Sequence, residues 1–249
     1  MSPVRQPGRV RGRDANGSDR SRGVLWAPRR AAWWTAALFM VGSACFVVAP
    51  IPAYLRWVGA SADGATFFVG SVFFTSAAAL QWRTAIRTEP TATTTPPRWN
   101  RLGAGEDHDL DWWSSGVQLL GTLFFNATTW RALTTAVAST SYDRVVWRPD
   151  AYGSVCFLVS GYLAYLHVTG GPFRRPPRSR EGAVASVNLF GCVAFGLAAL
   201  AGYVLPASGE LLSLPVTNAA TCVGALAFFL GAALLLPQAT EASTGHREG

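Results

Sequence analysis

The sequence contains no lysine. Its 21 basic residues are all arginine, set against 14 acidic ones, for a net charge of +7. Isoleucine occurs only twice, as Ile51 and Ile86. Lysine and isoleucine have AT-rich codons while arginine and alanine are mostly GC-rich, which points to a high-GC bacterial genome. Charge is scarce too, at 14% of residues, where an ordinary soluble protein carries about 25%. The four cysteines are spread one per apolar segment without CxxC spacing. They are too few for a secreted disulfide scaffold and read as small packed apolar residues. Transmembrane haem ligation needs facing histidines, yet the one histidine near an apolar segment is His167, at a segment end. No nucleotide loop or nucleophile–base pair is visible. The acidic patch Glu106–Asp109 reads as solvated rather than as a metal site. The expectation is therefore no catalytic residue, no metal and no cofactor.

What is present is apolar sequence. Half of the residues are hydrophobic and 12% are aromatic, and six stretches are long enough, at about 20 residues, to cross a hydrocarbon core. They run approximately over 31–49, 64–82, 112–130, 151–168, 183–205 and 214–236, and none has an Asp, Glu or Arg in its middle. Backbone polar groups in lipid must be satisfied internally, and the pattern is not that of alternating barrel strands, so these are helices. Counting arginines by side assigns 17 to one face and four (Arg56, Arg131, Arg144 and Arg148) to the other. Arginine-rich connections stay in the cytoplasm, so both termini are expected there, in a bacterial inner membrane. The chain then divides into an arginine-rich tail (1–30), a six-helix membrane domain (31–236) and a short C-terminal tail (237–249). The N-terminal tail reads as a topology signal near the inner leaflet, with no nucleic acid expected as a partner. The runs 89–97 and 172–180 read as flexible cytoplasmic linkers.

Each segment carries Gly-[Ser/Thr/Cys/Ala]-x-x-Phe, starting at Gly42, Gly70, Gly121, Gly153, Gly191 and Gly224. With 25 glycines and 14 phenylalanines, chance gives roughly half a match. A seventh match at Gly64 looks incidental. Trp33-Trp34 precedes Gly42 by the same distance as Trp112-Trp113 precedes Gly121, and Tyr54 and Tyr203 each follow a motif glycine by twelve residues. The unit is thus a two-helix hairpin written three times, over 31–82, 112–168 and 183–236. The expected fold is all-α, an integral membrane six-helix bundle built from three related helical hairpins. Glycine and the phenylalanine four residues on share one helix face. The first admits a neighbouring backbone and the second fills a facing groove, so the six glycines are expected to be helix-packing sites. Gly153 lies nearer the start of its segment than the others, which predicts that the six notches do not form one layer.

The runs FFVGSVFFTSAAALQ (67–81), DWWSSGVQLLGTLFFN (111–126) and RPDAYGSVCFLVSGYLA (148–164) resemble uncharacterised multi-pass membrane proteins of actinobacteria. Their hairpins resemble the small two-helix YrhK-like domain. The resemblance covers about 31–236 and implies the fold and the source, but no activity.

Three residues before each motif glycine stand Phe39, Phe67, Gln118, Asp150, Asn188 and Thr221, on the packing side of their helices. Gln118 and Asn188 lie within the apolar span, and Asn126 follows Gly121 by five residues. These three either bond across helices, at about 1 kcal/mol each, or line a polar cavity as ligand-binding residues. Asp63, Asp150 and Asn218 open even-numbered segments and are expected to cap them. Two functions remain open. One is a non-enzymatic structural or interaction module, whose partners are the bilayer and other membrane proteins or a second copy. The other is a transporter or channel for a small neutral or weakly polar solute. The topology is testable directly. A reporter active only in the cytoplasm is expected to work at either terminus, and an inactive fusion at both would reverse the orientation.

Overall fold

The computed structural model of the chain describes residues 30–87, 110–137, 139–205 and 208–241, the last five by backbone alone. The tail before residue 30, the 89–97 linker and the Glu106–Asp109 patch lie outside these residues. Seven α-helices are described: α1 (Ala31–Val48), α2 (Pro52–Val58), α3 (Ala60–Arg87), α4 (Leu110–Ala132), α5 (Arg148–Thr169), α6 (Arg180–Ala201) and α7 (Leu214–Glu241). A π-helical turn, Asp143–Trp147, runs directly into α5.

Local chemistry sets several boundaries. Pro52 occupies the first turn of α2, where its missing N–H is no loss. Gly59, at φ +81°, then breaks the chain between α2 and α3 in a conformation that suits glycine. Gly170 ends α5 in the left-handed region at φ +71°. The Ser179 hydroxyl caps α6 by accepting the Gly182 N–H at 3.2 Å. Within the exposed 172–180 stretch, the Arg174 carbonyl accepts a hydrogen bond from the Tyr165 hydroxyl of α5 at 3.0 Å. Helix α6 stops at Ala201, short of the expected 205. Its chain returns in a tight loop closed by Leu212 N–H to the Tyr203 carbonyl and Ser213 N–H to the Ala201 carbonyl.

Five helical segments are long and apolar enough to cross a membrane: α1, α3, the π-turn with α5, α6, and α7 as far as Leu236. The protein is an all-α, multi-pass membrane protein. The sixth expected span, α4, is a helix of 23 residues but falls short in apolarity. The reason is visible in its polar side chains. Ser114, Ser115, Thr122, Thr128 and Thr129 are buried in the bundle while Leu120, Leu123 and Trp130 are exposed on the outer face. Polar residues inside and large apolar ones outside invert the pattern of a water-soluble helix and suit a lipid surround.

The long helices close a ring. Each packs mainly on two neighbours, in the order α1, α3, α4, α5, α6, α7 and back to α1. At three of the six joints two motif glycines face each other. A Cβ on Gly42 would stand 2.9 Å from the Gly70 carbonyl oxygen, one on Gly121 3.1 Å from that of Gly153, and one on Gly191 3.1 Å from that of Gly224. The motif phenylalanines cross over: Phe74 covers Gly42, Phe46 covers Gly70, Phe157 covers Gly121, Phe125 covers Gly153, Phe228 covers Gly191 and Phe195 covers Gly224. All six rings are buried in one cluster. Their edge-on and tilted contacts range from 4.9 Å (Phe125–Phe157) to 6.5 Å (Phe74–Phe157) between centroids, within the range aromatic pairs favour.

The expectation that the notches miss a common layer is therefore corrected. The helical segment containing Gly153 begins at Asp143, through the π-turn, so the notch lies deeper than the apolar run suggests. At the other joints the residue after the motif glycine, or a neighbour, makes the contact. Ser71 Oγ and Thr129 Oγ1 are 2.9 Å apart across α3 and α4, and Ser154 donates to the Phe195 carbonyl at 3.4 Å across α5 and α6. The four cysteines are free thiols, with Cys192 buried against Gly161 and the others half-buried.

Gly121→Val puts new atoms against Phe157, Cys156 and the Gly153 carbonyl. It is expected to destabilise the bundle by about 1–3 kcal/mol, read as a lower unfolding temperature in detergent. Gly64 meets only the end of the Leu133 side chain, so Gly64→Ala should be close to neutral. Equal losses would contradict the assignment of Gly64 as incidental.

Candidate functional site: two cavities on either side of a phenylalanine layer

The phenylalanine layer separates two cavities. The first, of about 220 Å³, opens among the C-terminal part of α5, the N-terminal parts of α4 and α6 and the later turns of α3 and α7. The second, of about 210 Å³, occupies the other end of the ring, among the starts of α3, α5 and α7 and the ends of α4 and α6. Phe157 and Phe228 floor the first, while Phe46, Phe125 and Phe195 floor the second. Between them lies a void of only about 10 Å³ against Ser71, Thr122 and the rings, near the lower limit for a single water.

The residues three before each motif glycine divide by cavity. Phe39, Gln118 and Asn188, from α1, α4 and α6, line the first. Phe67, Asp150 and Thr221, from α3, α5 and α7, line the second. Neighbouring helices run in opposite directions, so a residue one turn before the glycine points to opposite ends of the ring on alternate helices.

Gln118 and Asn188 thus line the same cavity, both half-buried, and neither has a hydrogen-bond partner among the described residues. The Asn188 amide oxygen lies against Gly231, where a Cβ would have no room. Asn126 is not with them. Its amide donates to Thr75 Oγ1 at 2.8 Å across α3 and α4, so it serves packing, because five residues after Gly121 the helix face has turned toward the neighbouring hairpin. The capping expectation also fails. No capping hydrogen bond from Asp63, Asp150 or Asn218 occurs among the described residues, because the helices begin upstream of all three. Asp150 and Asn218 border the second cavity instead, and Asp63 Oδ1 is buried without a partner.

Several lining residues escape a motif-based reading. Ser114 and Ser160 meet across the first cavity, Ser114 donating to the Ser160 carbonyl at 3.0 Å. Ser114 precedes Gln118 by four, a helical spacing that would have flagged it. Gln81, His167, Asp111 and Glu181 complete the polar wall, the last three exposed. In the second cavity Tyr142 sits near Asp150, and burial first and that carboxylate second push its hydroxyl up, keeping it a donor. The charged residues at the cavities are Asp111, Glu181 and Asp150, and among the described residues no arginine lines either. No three of His, Cys, Asp or Glu are grouped to hold a metal among the described residues.

Comparison with known proteins finds no matching family model, no similar curated protein and no similar solved structure.

Asn126→Leu removes a bond between membrane helices and is expected to lower stability by about 0.6–1.7 kcal/mol. Gln118→Leu should cost less. The opposite order in a denaturation series would return Asn126 to the cavity.

Proposed function

We propose that this protein binds a small polar solute within its helix ring and passes it across a bacterial inner membrane, without chemical catalysis. One observation carries the proposal. Two cavities of nearly equal size sit at opposite ends of the ring, and a single layer of phenylalanine rings is all that parts them. Cavities of this kind between membrane helices, walled by uncommitted amides, are where solute sites occur. Gln118 and Asn188 each offer a donor and an acceptor to a solute entering the first cavity.

The architecture in this proposal is a ring of six crossing helices, with α4 as the sixth. Its buried serines and threonines suit the interior of a bundle rather than a lipid face. The three glycine-to-glycine crossings support three related hairpins. The arginine asymmetry supports cytoplasmic termini.

A purely structural or interaction module remains a second reading, favoured by the closed barrier, since all six motif phenylalanines are taken up by the core. The partner in that case is another membrane protein or a second copy.

Re-swelling of proteoliposomes after osmotic shock with glycerol, urea or choline chloride separates the two. Translocation predicts faster re-swelling than in protein-free liposomes for at least one solute. It also predicts a several-fold slowing when Gln118→Leu and Asn188→Leu are combined. Phe157→Ala, which thins the barrier, should raise the rate. Folded protein with no flux above lipid for any solute would leave the structural module standing.

A further inference from the structure

The second cavity has a composition that narrows its ligand. Asp150 is the only charged residue among those described on its walls. It has no ion-pair partner among the described residues, and the nearest arginine in sequence, Arg148, is held by Asp143 at 3.0 Å on the exposed side. Aromatic rings from Phe46, Phe67, Phe125, Tyr142, Trp147 and Phe195 line the rest. The hydroxyls of Thr128, Thr129 and Thr217 donate to backbone carbonyls. Asn218 and Thr221 keep their polar groups uncommitted among the described residues.

A carboxyl walled by apolar rings is favoured in its ionised form only when a positive charge lies beside it. Anionic ligands are repelled there. A calcium-like inorganic cation would want six or more oxygen ligands, which the carboxyl of Asp150, the amide of Asn218 and the hydroxyls of Tyr142 and Thr221 do not supply. An organic ammonium meets the walls as they are. Its charge pairs with the carboxylate, and its alkyl groups lie on aromatic faces that attract cations.

Building on the solute-site reading of the cavities, we propose that the second cavity binds a small organic ammonium, its nitrogen held by Asp150 among the aromatic side chains. Asn218 and Thr221 accept hydrogen bonds from any N–H or hydroxyl the ligand carries.

The test is binding of choline to the full-length protein in nanodiscs, against 3,3-dimethylbutan-1-ol as the uncharged analogue of the same shape. One choline per chain is expected, with at least tenfold preference over the alcohol. Asp150→Asn should weaken choline at least tenfold and leave the alcohol unchanged. Val155→Ala, on the exposed outer face of the same helix, should leave choline binding as it is. Independently of any variant, choline should protect Asp150 from carbodiimide modification, read by mass spectrometry of the wild-type protein. Equal binding of choline and alcohol, unchanged choline binding in D150N, displacement by equimolar sodium or absence of protection would each overturn the assignment. Flux of neutral solutes without ammonium binding would overturn this inference and leave translocation standing. Choline binding that depends on Asp150, with no flux of any solute, would do the reverse.

Discussion

At three joints between the long helices two motif glycines bring the backbones into contact, and the ring depends on them. In lipid, apolar side chains gain nothing by leaving one hydrocarbon for another, so helices associate through tight van der Waals contact. Without a Cβ on Gly42, Gly121 or Gly191, the carbonyl oxygens of Gly70, Gly153 and Gly224 come near enough for the backbones themselves to touch. The phenylalanine one turn along each helix then lies over the opposite glycine, which directs six rings toward the ring's centre. The same contact therefore sets helix spacing and creates the central layer. Dispersion contacts that are individually tiny sum to a large term when this many ring atoms are packed.

That layer governs where polar groups can go. One turn to either side of it the glycine-to-glycine contact no longer holds the backbones together, and space opens at both ends of the ring. Side chains three residues before each glycine fall into those spaces, on alternate ends because alternate helices are reversed. Helix α4 shows the consequence most clearly. It gives Gln118 to one cavity and Thr128 and Thr129 to the other, while Leu120 and Leu123 face outward. Its low apolarity records a lining role rather than a weak tendency to be helical.

Much of this was legible in the sequence, for physical reasons. Apolar length fixes the helices, and a small residue followed by phenylalanine at one-turn spacing fixes the packing face. Gly42 and its five counterparts were found that way. What could not be read was depth. The start of the fourth long helical segment is hidden in the mixed-polarity stretch Asp143–Trp147, where a π-turn extends the helix beyond its apolar run. That single extension moved Gly153 into the common layer and Asp150 from a helix end to a cavity wall. For Asn126 the spacing leaves both a cross-helix bond and a place in the cavity open, and the bond to Thr75 is the one that forms. Rotation around a helix is legible to within a residue or two, and five residues past Gly121 is enough to face the next helix. The pairing of Gln118 with Asn188 in one cavity needed the closed ring, which no local spacing encodes.

A closed aromatic layer divides two cavities at opposite ends of one helix ring. Labelling of introduced cysteines tests it most directly, with Cys45, Cys156, Cys192 and Cys222 replaced by alanine and a membrane-impermeant thiol reagent applied to either side of sealed vesicles. Asn188→Cys is expected to be labelled from one side only and Thr221→Cys from the opposite side only. Labelling of both from the same side, or of neither in folded protein, would contradict it.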